Sequence, residues 1–138
     1  MVRNKFNQSF FQFIGDTQKI AYDLTLALQP EGLSNKAFSV LEHLYYNNTS
    51  DIKGISESLG LSYGSVRHFL KALLEDNLVK RQKKGRGYTY SLTKQGKVKL
   101  DACFFQVVNG IQNKYEDIDE ETLGSLMECM HYITKKMY

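Results

Sequence analysis

The chain has few of the residues that stabilise small secreted proteins. Its 138 residues include two cysteines, one proline and no tryptophan. Cys103 and Cys129 are too few for a secreted disulfide framework. No apolar run approaches the roughly 20 residues of a transmembrane helix. Polar residues also interrupt the phenylalanine-rich N-terminus, where a signal peptide needs an apolar core. These absences predict a cytoplasmic protein without a membrane partner.

Positive charge is concentrated in the middle of the chain. Residues 60–100 contain 10 basic and 2 acidic side chains, a net charge of +8, whereas the whole chain carries +3. The preceding segment is near neutral, and the following one is acidic. Such a distribution is typical of a protein that binds a polyanion. The remaining composition, with 42% apolar residues, is that of an ordinary globular domain.

Apolar residues at spacings of three and four predict six helices, and capping residues mark their ends. The helices are predicted over residues 7–28, from Ser34 to Asn47, between a cap at Thr49 or Ser50 and Gly60, from Ser62 to Asn77, from Thr93 to about Tyr115, and after the acidic turn at 117–121. The third and fourth helices are joined by a tight turn that contains Gly60, which is typical of a helix-turn-helix.

Two short strands are predicted after the fourth helix, at residues 78–81 and 88–92. The second strand shows the period of two expected of a half-buried strand, because Tyr88, Tyr90 and Leu92 alternate with polar residues. Between the strands lies a basic loop, residues 82–87, whose glycines permit a turn. This loop is predicted to form a wing.

The predicted fold is mainly α-helical with a small β-hairpin wing: a winged helix-turn-helix plus N- and C-terminal dimerisation helices. Residues 1–32 are expected to form an N-terminal dimerisation helix, residues 33–96 the DNA-binding domain, and residues 97–138 the C-terminal dimerisation helices of one compact protomer. Helices one, five and six carry more apolar surface than a winged helix of this size can cover. A homodimer is therefore expected.

The fourth helix is predicted to read DNA. Its N-terminal residues are small or able to form hydrogen bonds, as a helix entering the major groove requires. We expect Ser65, Arg67 and His68 to contact base edges, Lys71 to contact a phosphate, and Tyr63 to contact either. The full predicted set on this helix is Ser62, Tyr63, Gly64, Ser65, Arg67, His68 and Lys71.

The basic loop supplies the second predicted contact. Lys83, Lys84 and Arg86, backed by Lys80 and Arg81, place five cations within seven residues. Their mutual repulsion is unfavourable unless an anion is bound nearby. An arginine at a hairpin tip suits a narrow, negative minor groove, and Arg86 is the candidate.

The segment IKGISESLGLSYGSVRHFLKALLEDNLVKR, Arg86 six residues before Leu92, and Gly96 at the end of an LT-x-x-G motif resemble the MarR family of bacterial transcription regulators. The resemblance covers essentially the whole chain. It implies an obligate homodimer that binds a pseudo-palindromic operator, usually as a repressor. It also implies a small aromatic or anionic effector, for which no residues are assigned. The wing reads Lys84-Gly85-Arg86 where the family usually has Asp-x-Arg, and Asn77 stands where glycine is usual.

Two other hypotheses remain open: a winged helix that binds proteins and not DNA, and a thiol-dependent regulator that uses Cys103 or Cys129. Catalysis has little support, because Gly85-x-Gly87 follows no βα unit. The three histidines lie on different predicted helices, and Cys129 and His131 point to different sides of one helix. No enzyme activity, metal or cofactor is therefore expected.

Overall fold

The computed structural model describes residues 4–137 and contains six α-helices and one two-stranded antiparallel hairpin in that range. The helices and strands are α1 (Lys5–Leu28), α2 (Asn35–Asn47), α3 (Ile52–Leu59), α4 (Tyr63–Glu75), β1 (Val79–Lys84), β2 (Gly87–Leu92), α5 (Lys94–Tyr115) and α6 (Glu120–Met137). The predicted mainly helical fold with a hairpin is confirmed. Residues 1–3 and 138 of the predicted segments lie outside the described residues.

The first helix begins earlier than predicted. Asn4 caps α1, and its side chain accepts a hydrogen bond of 2.8 Å from the backbone N–H of Asn7. The helix therefore starts at Lys5 rather than at residue 7. Its predicted end is confirmed, since a 3-10 turn containing Pro30 follows Leu28 and Gly32 adopts φ 65°.

One apolar core joins the winged helix to the first half of α5. It contains residues from α2, α3, α4, both strands and α5, together with the last residue of α1. Its members are Leu28, Phe38, Val40, Leu41, Leu44, Ile55, Val66, Leu70, Leu73, Val79, Tyr90, Leu92, Leu100 and Cys103. Val66, Leu70 and Leu73 of α4 are buried and Phe69 and Leu74 are half-buried, so the opposite side of α4 is exposed.

The predicted cap of the third helix is wrong. Asp51, and not Thr49 or Ser50, caps α3, and its carboxylate accepts a hydrogen bond of 2.8 Å from the backbone N–H of Gly54. Ser50 is unavailable because its backbone pairs with Tyr90 as an isolated bridge. The chain is therefore extended at Ser50, and the helix can begin only after it.

The predicted length of the basic loop is also wrong. The strands extend to Lys84 and from Gly87, which pair with each other, so the turn consists only of Gly85 and Arg86. Gly85 adopts φ 60°, as the first central residue of a type II′ turn requires. Lys83 and Lys84 are strand residues, because a ribbon that projects into solvent accepts charged side chains on both faces.

Gly96 lets α5 lie directly against the chain before β1. A Cβ atom at Gly96 would lie 1.9 Å from the carbonyl oxygen of Leu78. Thr93 caps α5, because its hydroxyl accepts a hydrogen bond of 2.9 Å from the Gly96 N–H and donates one of 2.6 Å to the carbonyl of Asn77. The base of the hairpin and the start of α5 are thus one unit.

The remainder of α5 packs on α1. Tyr115 and Lys114 donate hydrogen bonds of 2.6 and 2.9 Å to the carboxylate of Asp23. Many apolar side chains of α1, α5 and α6 nevertheless remain exposed, including Phe104 of α5, which is 57% exposed. None of the helices in the described part of the chain is long and apolar enough to span a bilayer.

Candidate nucleic-acid interface

The turn between α3 and α4 sets the angle of the candidate DNA-reading helix. Gly60 adopts φ 64°, and the backbone N–H groups of Gly60 and Leu61 both donate to the carbonyl of Ser56. The Ser56 hydroxyl donates to the carbonyl of Leu61 and closes the turn from the other side. These bonds are local, so the sequence was sufficient to predict this turn.

The first turn of α4 is held by Ser62. Its hydroxyl oxygen accepts a hydrogen bond of 3.1 Å from the backbone N–H of Ser65, and its proton is donated to the Ser65 hydroxyl at 3.0 Å. Ser62 therefore acts first as the N-cap of α4. The Ser65 hydroxyl keeps its own proton, which remains free to donate to a base or a phosphate.

The predicted contact residues of α4 lie on one outward side. Val66, Leu70 and Leu73 are buried, whereas Ser65 is half-buried. The remaining predicted residues are exposed: Ser62, Tyr63, Gly64, Arg67, His68 and Lys71. At 100° per residue, Gly64, His68 and Lys71 fall within a narrow arc. The helix thus presents small residues first and longer donors behind them.

His68 is held by its neighbour in the chain. Its ring lies edge-to-face against Phe69, with 5.4 Å between the ring centroids. Phe69 itself packs against the core. The contact limits the directions that the exposed imidazole can take, which suits a base-reading side chain.

The wing is anchored by β2. Ser50 and Tyr90 exchange backbone hydrogen bonds of 3.1 and 2.8 Å, so β2 is held between β1 and the residue that precedes α3. Tyr90 and Leu92 are buried beneath the hairpin base. The base is therefore fixed to the core while the tip projects.

The wing cations point in different directions. In the register Lys83 pairs with Tyr88 and Lys84 pairs with Gly87. Successive strand residues alternate between faces, so Lys83 and Lys84 lie on opposite faces of the ribbon. Arg86 occupies the turn itself. The structure thus brings Lys83 and Arg81 to one face and Lys84 to the other.

A contact between Arg81 and Tyr88 was missed in the sequence. The Arg81 guanidinium lies 4.2 Å from the centre of the Tyr88 ring, a cation–π contact between diagonal neighbours of the two strands. This contact stiffens the projecting half of the hairpin. The sequence does contain a signal for this contact, because the aromatic Tyr88 lies opposite a run of basic residues. The contact can be predicted only when the register of the two strands is known.

The positive charges of α4 and of the hairpin are not neutralised by ion pairs among the described residues. The four ion pairs found there join Asp16 to Lys19, Lys53 to Glu57, Glu31 to Lys99, and Asp23 to Lys114. None involves a residue of α4 or of the hairpin. The cations of both elements therefore remain available to an anion.

Other chemistry finds little support in the described residues. No group of three or more histidine, cysteine or acidic side chains there could hold a metal ion. Burial raises the pKa of the Cys103 thiol and lowers the pKa of His43. Both groups are therefore held neutral, and neither lies on α4 or on the hairpin.

Comparison with known proteins identifies the fold, and a family model matches part of the chain. Residues 33–86 match the model of the MarR family. A MarR-family transcriptional regulator from Rhodococcus sp. RHA1 has a TM-score of 0.85 at 19% identity, covering 96% of both chains. A mutant MarR from E. coli in complex with operator DNA has a TM-score of 0.80 at 19% identity, covering 95% of this chain and 99% of that one.

A third solved structure carries a ligand. CouR from Rhodococcus jostii RHA1 bound to p-coumaroyl-CoA has a TM-score of 0.83 at 18% identity, covering 96% of this chain and 95% of that one. No curated protein is similar enough in sequence for a significant match. The resemblance to the MarR family that was predicted from the sequence is confirmed over residues 33–86. Residues 33–86 match the MarR family model, and the chain has the winged helix-turn-helix fold of these solved structures.

Proposed function

We propose that this chain is a cytoplasmic transcription regulator that binds a specific double-stranded DNA operator as a homodimer and represses the genes beside it. The observation that carries the proposal is that the cations of α4 and of the hairpin have no carboxylate partner among the described residues. A solved neighbour with the same fold is in complex with operator DNA, which supports the same activity here.

The recognition helix α4 enters the major groove by its N-terminal end. Its first residues are small, and the positive end of the helix dipole faces the phosphates. Ser65, Arg67 and His68 contact base edges, Lys71 contacts a phosphate, and Tyr63 contacts either. Ser62 and Gly64 allow close approach, and Glu75 lies at the far end of α4, away from the DNA.

The wing reaches an adjacent minor groove. Arg86 projects from a two-residue turn and enters the groove, where the negative potential is strongest. Lys83 and Lys84 lie on opposite faces of the ribbon, so each contacts the backbone of a different strand bordering the groove. The stacking of Arg81 on Tyr88, at 4.2 Å, keeps the ribbon straight as it enters.

A second copy of the chain covers the exposed apolar side chains of the terminal helices. These side chains include Phe6, Phe10, Phe11, Ile20, Phe104, Phe105, Leu123, Leu126, Met127 and Ile133. A monomer rarely leaves so many large apolar side chains exposed on neighbouring helices. A two-fold dimer presents two α4 helices about 34 Å apart, and its operator is pseudo-palindromic.

A small aromatic or anionic effector releases the DNA. CouR, which shares the fold, is bound to p-coumaroyl-CoA, and this supports an effector of that general chemistry here. If the effector binds the DNA-free conformation more tightly than the DNA-bound one, it shifts the protein toward the DNA-free conformation. The affinity for DNA then falls.

The decisive experiment is a salt series on duplex DNA. Neutralising about six phosphates gives a slope near −5 when the logarithm of affinity is plotted against the logarithm of salt concentration. The operator is first selected from random genomic fragments by the full chain. A flat salt response would rule out the proposal. It would favour the alternative of a winged helix that binds proteins.

The thiol-dependent alternative has less support. Cys103 is buried and its pKa is raised, so little thiolate is available to an oxidant. Cys129 is exposed on α6. Oxidant that abolishes DNA binding by the native chain but not by Cys129→Ser would restore this alternative.

A further inference from the structure

One ring nitrogen of His43, near the end of α2, is buried without a hydrogen-bond partner. This atom, Nε2, is the one buried side-chain nitrogen or oxygen without a partner in the described part of the chain. The other two histidines, His68 and His131, are exposed. Buried polar atoms without a partner are rare in native proteins, so the surroundings of this ring point to a role beyond packing.

The second ring nitrogen shows which tautomer His43 adopts. The side-chain Nδ2 of Asn47 donates a hydrogen bond of 2.8 Å to the backbone carbonyl of His43, and it lies 3.3 Å from His43 Nδ1. A carbonyl oxygen only accepts hydrogen bonds, so the atom beside it is the amide nitrogen of Asn47 and not the amide oxygen. Nδ1 therefore accepts from Asn47, and the proton of the neutral ring is on the unpartnered Nε2.

A second proton does not fit this arrangement. On Nδ1 it would point at the N–H group of Asn47, so that two donors would face each other. If the amide of Asn47 turned over, its oxygen would reach Nδ1, but the nitrogen could no longer donate to the His43 carbonyl. Protonation of the ring therefore breaks at least one of the two contacts that Asn47 makes with His43.

No carboxylate stabilises a charged ring at this position. The helix α2 packs against α1, α3, α4, α5 and β2. These elements and α2 itself carry six carboxylates, none of which forms a hydrogen bond or ion pair with His43: Asp16, Asp23, Glu42, Glu57, Glu75 and Asp101. Asp51, the next acid after Glu42, caps α3 instead. Burial alone lowers the pKa of His43, with no contribution from a carboxylate or a cation.

Asn47 also precedes a strained turn. The backbone N–H of Thr49 donates a hydrogen bond of 2.6 Å to the carbonyl of Asn47, and Asn48 between them adopts φ 61° and ψ −56°. This is a γ-turn with positive φ, which is rare and strained. Such a backbone persists only where its surroundings hold it. Here Asn47 holds one side of the turn, and the bridge between Ser50 and Tyr90 holds the other.

We propose that protonation of His43 opens the junction between α2 and the hairpin, so that acid loosens the base of the wing. While the ring is neutral, Asn47 caps α2 and the turn at Asn48 keeps Ser50 in register with Tyr90. When the ring gains a proton, Asn47 is released, the turn relaxes and the bridge to Tyr90 opens. His43 as a whole is only half-buried, so the charged ring can reach solvent while the rest of the core stays folded.

The pH range follows from the direction of the pKa change. The folded pKa of His43 is below its unfolded value of about 6.5. The closed junction is therefore fully stable above about pH 6.5, and its stability is lost as the pH falls through the folded pKa.

The consequence for DNA rests on the proposed function. The bridge between Ser50 and Tyr90 fixes β2 beside the residue that precedes α3, so an open bridge lets the wing move relative to α4. The affinity for DNA then falls with the fraction of chains that stay closed. Protonation of His68 would act in the opposite direction, because it adds positive charge to the DNA-binding helix. A loss of affinity in acid therefore distinguishes His43 from a simple charge effect.

NMR spectroscopy of the full chain between pH 8 and pH 5 tests the junction without DNA. The ring resonances of His43 should titrate with a midpoint below about 6.5. Over the same range, the hydrogen-exchange protection factors of the Ser50 and Tyr90 amides, which form the bridge, should fall about tenfold. The amide of Leu70 in α4 should keep its protection. A midpoint at or above 6.5, or bridge protection that does not change with pH, would overturn the proposal.

His43→Phe separates titration from packing. A phenylalanine ring fills a similar space and cannot gain a proton, while Asn47 keeps its bond to the backbone carbonyl of residue 43. Bridge protection in this variant should not depend on pH. His131→Gln, which removes a histidine from α6, should keep the native response. Because the titration is also measured on the native chain, the test does not depend on the folding of any variant.

Affinity for the selected operator, measured at constant ionic strength, completes the test. It should fall about fivefold from pH 7.5 to pH 5.5 for the native chain and for His131→Gln, as when about one chain in five stays closed. It should not fall for His43→Phe. Affinity of the native chain that is constant or rises in acid would overturn the regulatory role. If the bridge opens in acid but DNA is not bound at any pH, the junction stands and the proposed function fails.

Discussion

At the scale of single residues, Gly96 has the least freedom. The carbonyl oxygen of Leu78 occupies the space that a side chain at this position would need, 1.9 Å from an ideal Cβ. Neighbouring hydrogen bonds from Thr93 to Asn77 and from Gly96 to Thr93 hold the same backbone in place. The LT-x-x-G motif is therefore a packing requirement where the hairpin meets α5.

Gly96→Ala should destabilise the protein. Separating two main-chain segments to admit a methyl group costs about 3 kcal/mol, because the overlapping atom is a backbone carbonyl. Urea unfolding followed by circular dichroism measures the change. Gly64→Ala is the matched control, since nothing lies within 4 Å of a Cβ there, and it should be neutral or slightly stabilising. Equal stability of Gly96→Ala and the native chain would contradict the packing described here.

Replacing Arg86 and replacing His68 by alanine should change DNA binding in different ways. Arg86→Ala should weaken binding to all DNA sequences and lower the salt slope by about 1, because a charge in the minor groove is lost. His68→Ala should change the base preference at one position of each half-site, by about 1–3 kcal/mol. Both effects are measured by determining the affinities for a panel of single-base operator variants at two salt concentrations.

Lys19→Ala serves as the control for these variants. It removes the same charge from an exposed side chain on α1, far along the chain from α4 and the hairpin. It should leave both the slope and the base preference unchanged. A uniform loss for Arg86→Ala and His68→Ala alike would refute the division of roles between wing and helix.

Side-chain exposure on α4 could be predicted from the sequence, and the wing contacts could not. Val66, Leu70 and Leu73 define the core side by spacing alone, so Arg67, His68 and Lys71 had to face outward. The stacking of Arg81 on Tyr88 depends on the register of the hairpin. That register follows from the two-residue turn, whose position was hidden by the run of five basic or amide residues before Gly85.

At the scale of helices and strands, local caps were predictable and long-range ones were not. Gly60 and Asn77 adopt the predicted positive φ, at 64° and 58°, because the bonds that require it lie within a few residues. Asp51 was missed as the cap of α3 since Ser50 is held by Tyr90, 40 positions later in the chain. A single sequence contains no direct signal of that pairing.

The junction of α1 with α5 depends on an ionised carboxylate. Hydrogen bonds from Tyr115 and Lys114 lower the pKa of Asp23, and the same bonds raise the pKa values of Tyr115 and Lys114. The folded pKa of Asp23 is thus below its unfolded value of about 3.9. The contact contributes fully above that value and is lost as the pH falls through the folded pKa.

Asp23→Asn should therefore destabilise the protein at neutral pH and not at low pH. The difference in free energy of unfolding between Asp23→Asn and the native chain should shrink as the pH falls below about 4. Urea unfolding between pH 3 and pH 7 measures it. Asp16→Asn is the control, because Asp16 meets only exposed Lys19, at 3.6 Å. A difference that is constant with pH would exclude the ionised contact as its origin.

At the scale of the whole molecule, the terminal helices leave large apolar side chains exposed in one copy. Phe11 is 71% exposed, Phe105 63% and Met127 62%, although each lies on a helix that also packs inward or borders an apolar groove. A helix with apolar residues on several sides cannot reveal from its sequence which side faces its own protomer. The sequence predicts a second copy, but it does not predict which residues would contact it.

Leu126→Glu should convert the dimer to a monomer. The side chain borders the apolar groove between α1, α5 and α6, and burying a charge there should weaken association about 100-fold. Sedimentation velocity measures the change. Val98→Glu is the control: Val98 is 64% exposed on α5 and lies outside that groove. A native chain that sediments as a monomer, or a Leu126→Glu dimer, would contradict the proposed assembly.

The continuity of α5 has a mechanical consequence. Its 22 residues span about 33 Å at 1.5 Å per residue. The backbone contact at Gly96 lies near one end of the helix, and the hydrogen bonds to Asp23 lie at the other. Because the start of α5 is packed against the base of the hairpin, a rotation of α5 moves the hairpin with it. A tilt of about 5° at the far end displaces the near end by about 3 Å, close to the 3.4 Å rise between successive base pairs along one strand. In the proposed dimer on DNA, small adjustments in how the two copies pack together would therefore shift the wing by one base pair along the duplex.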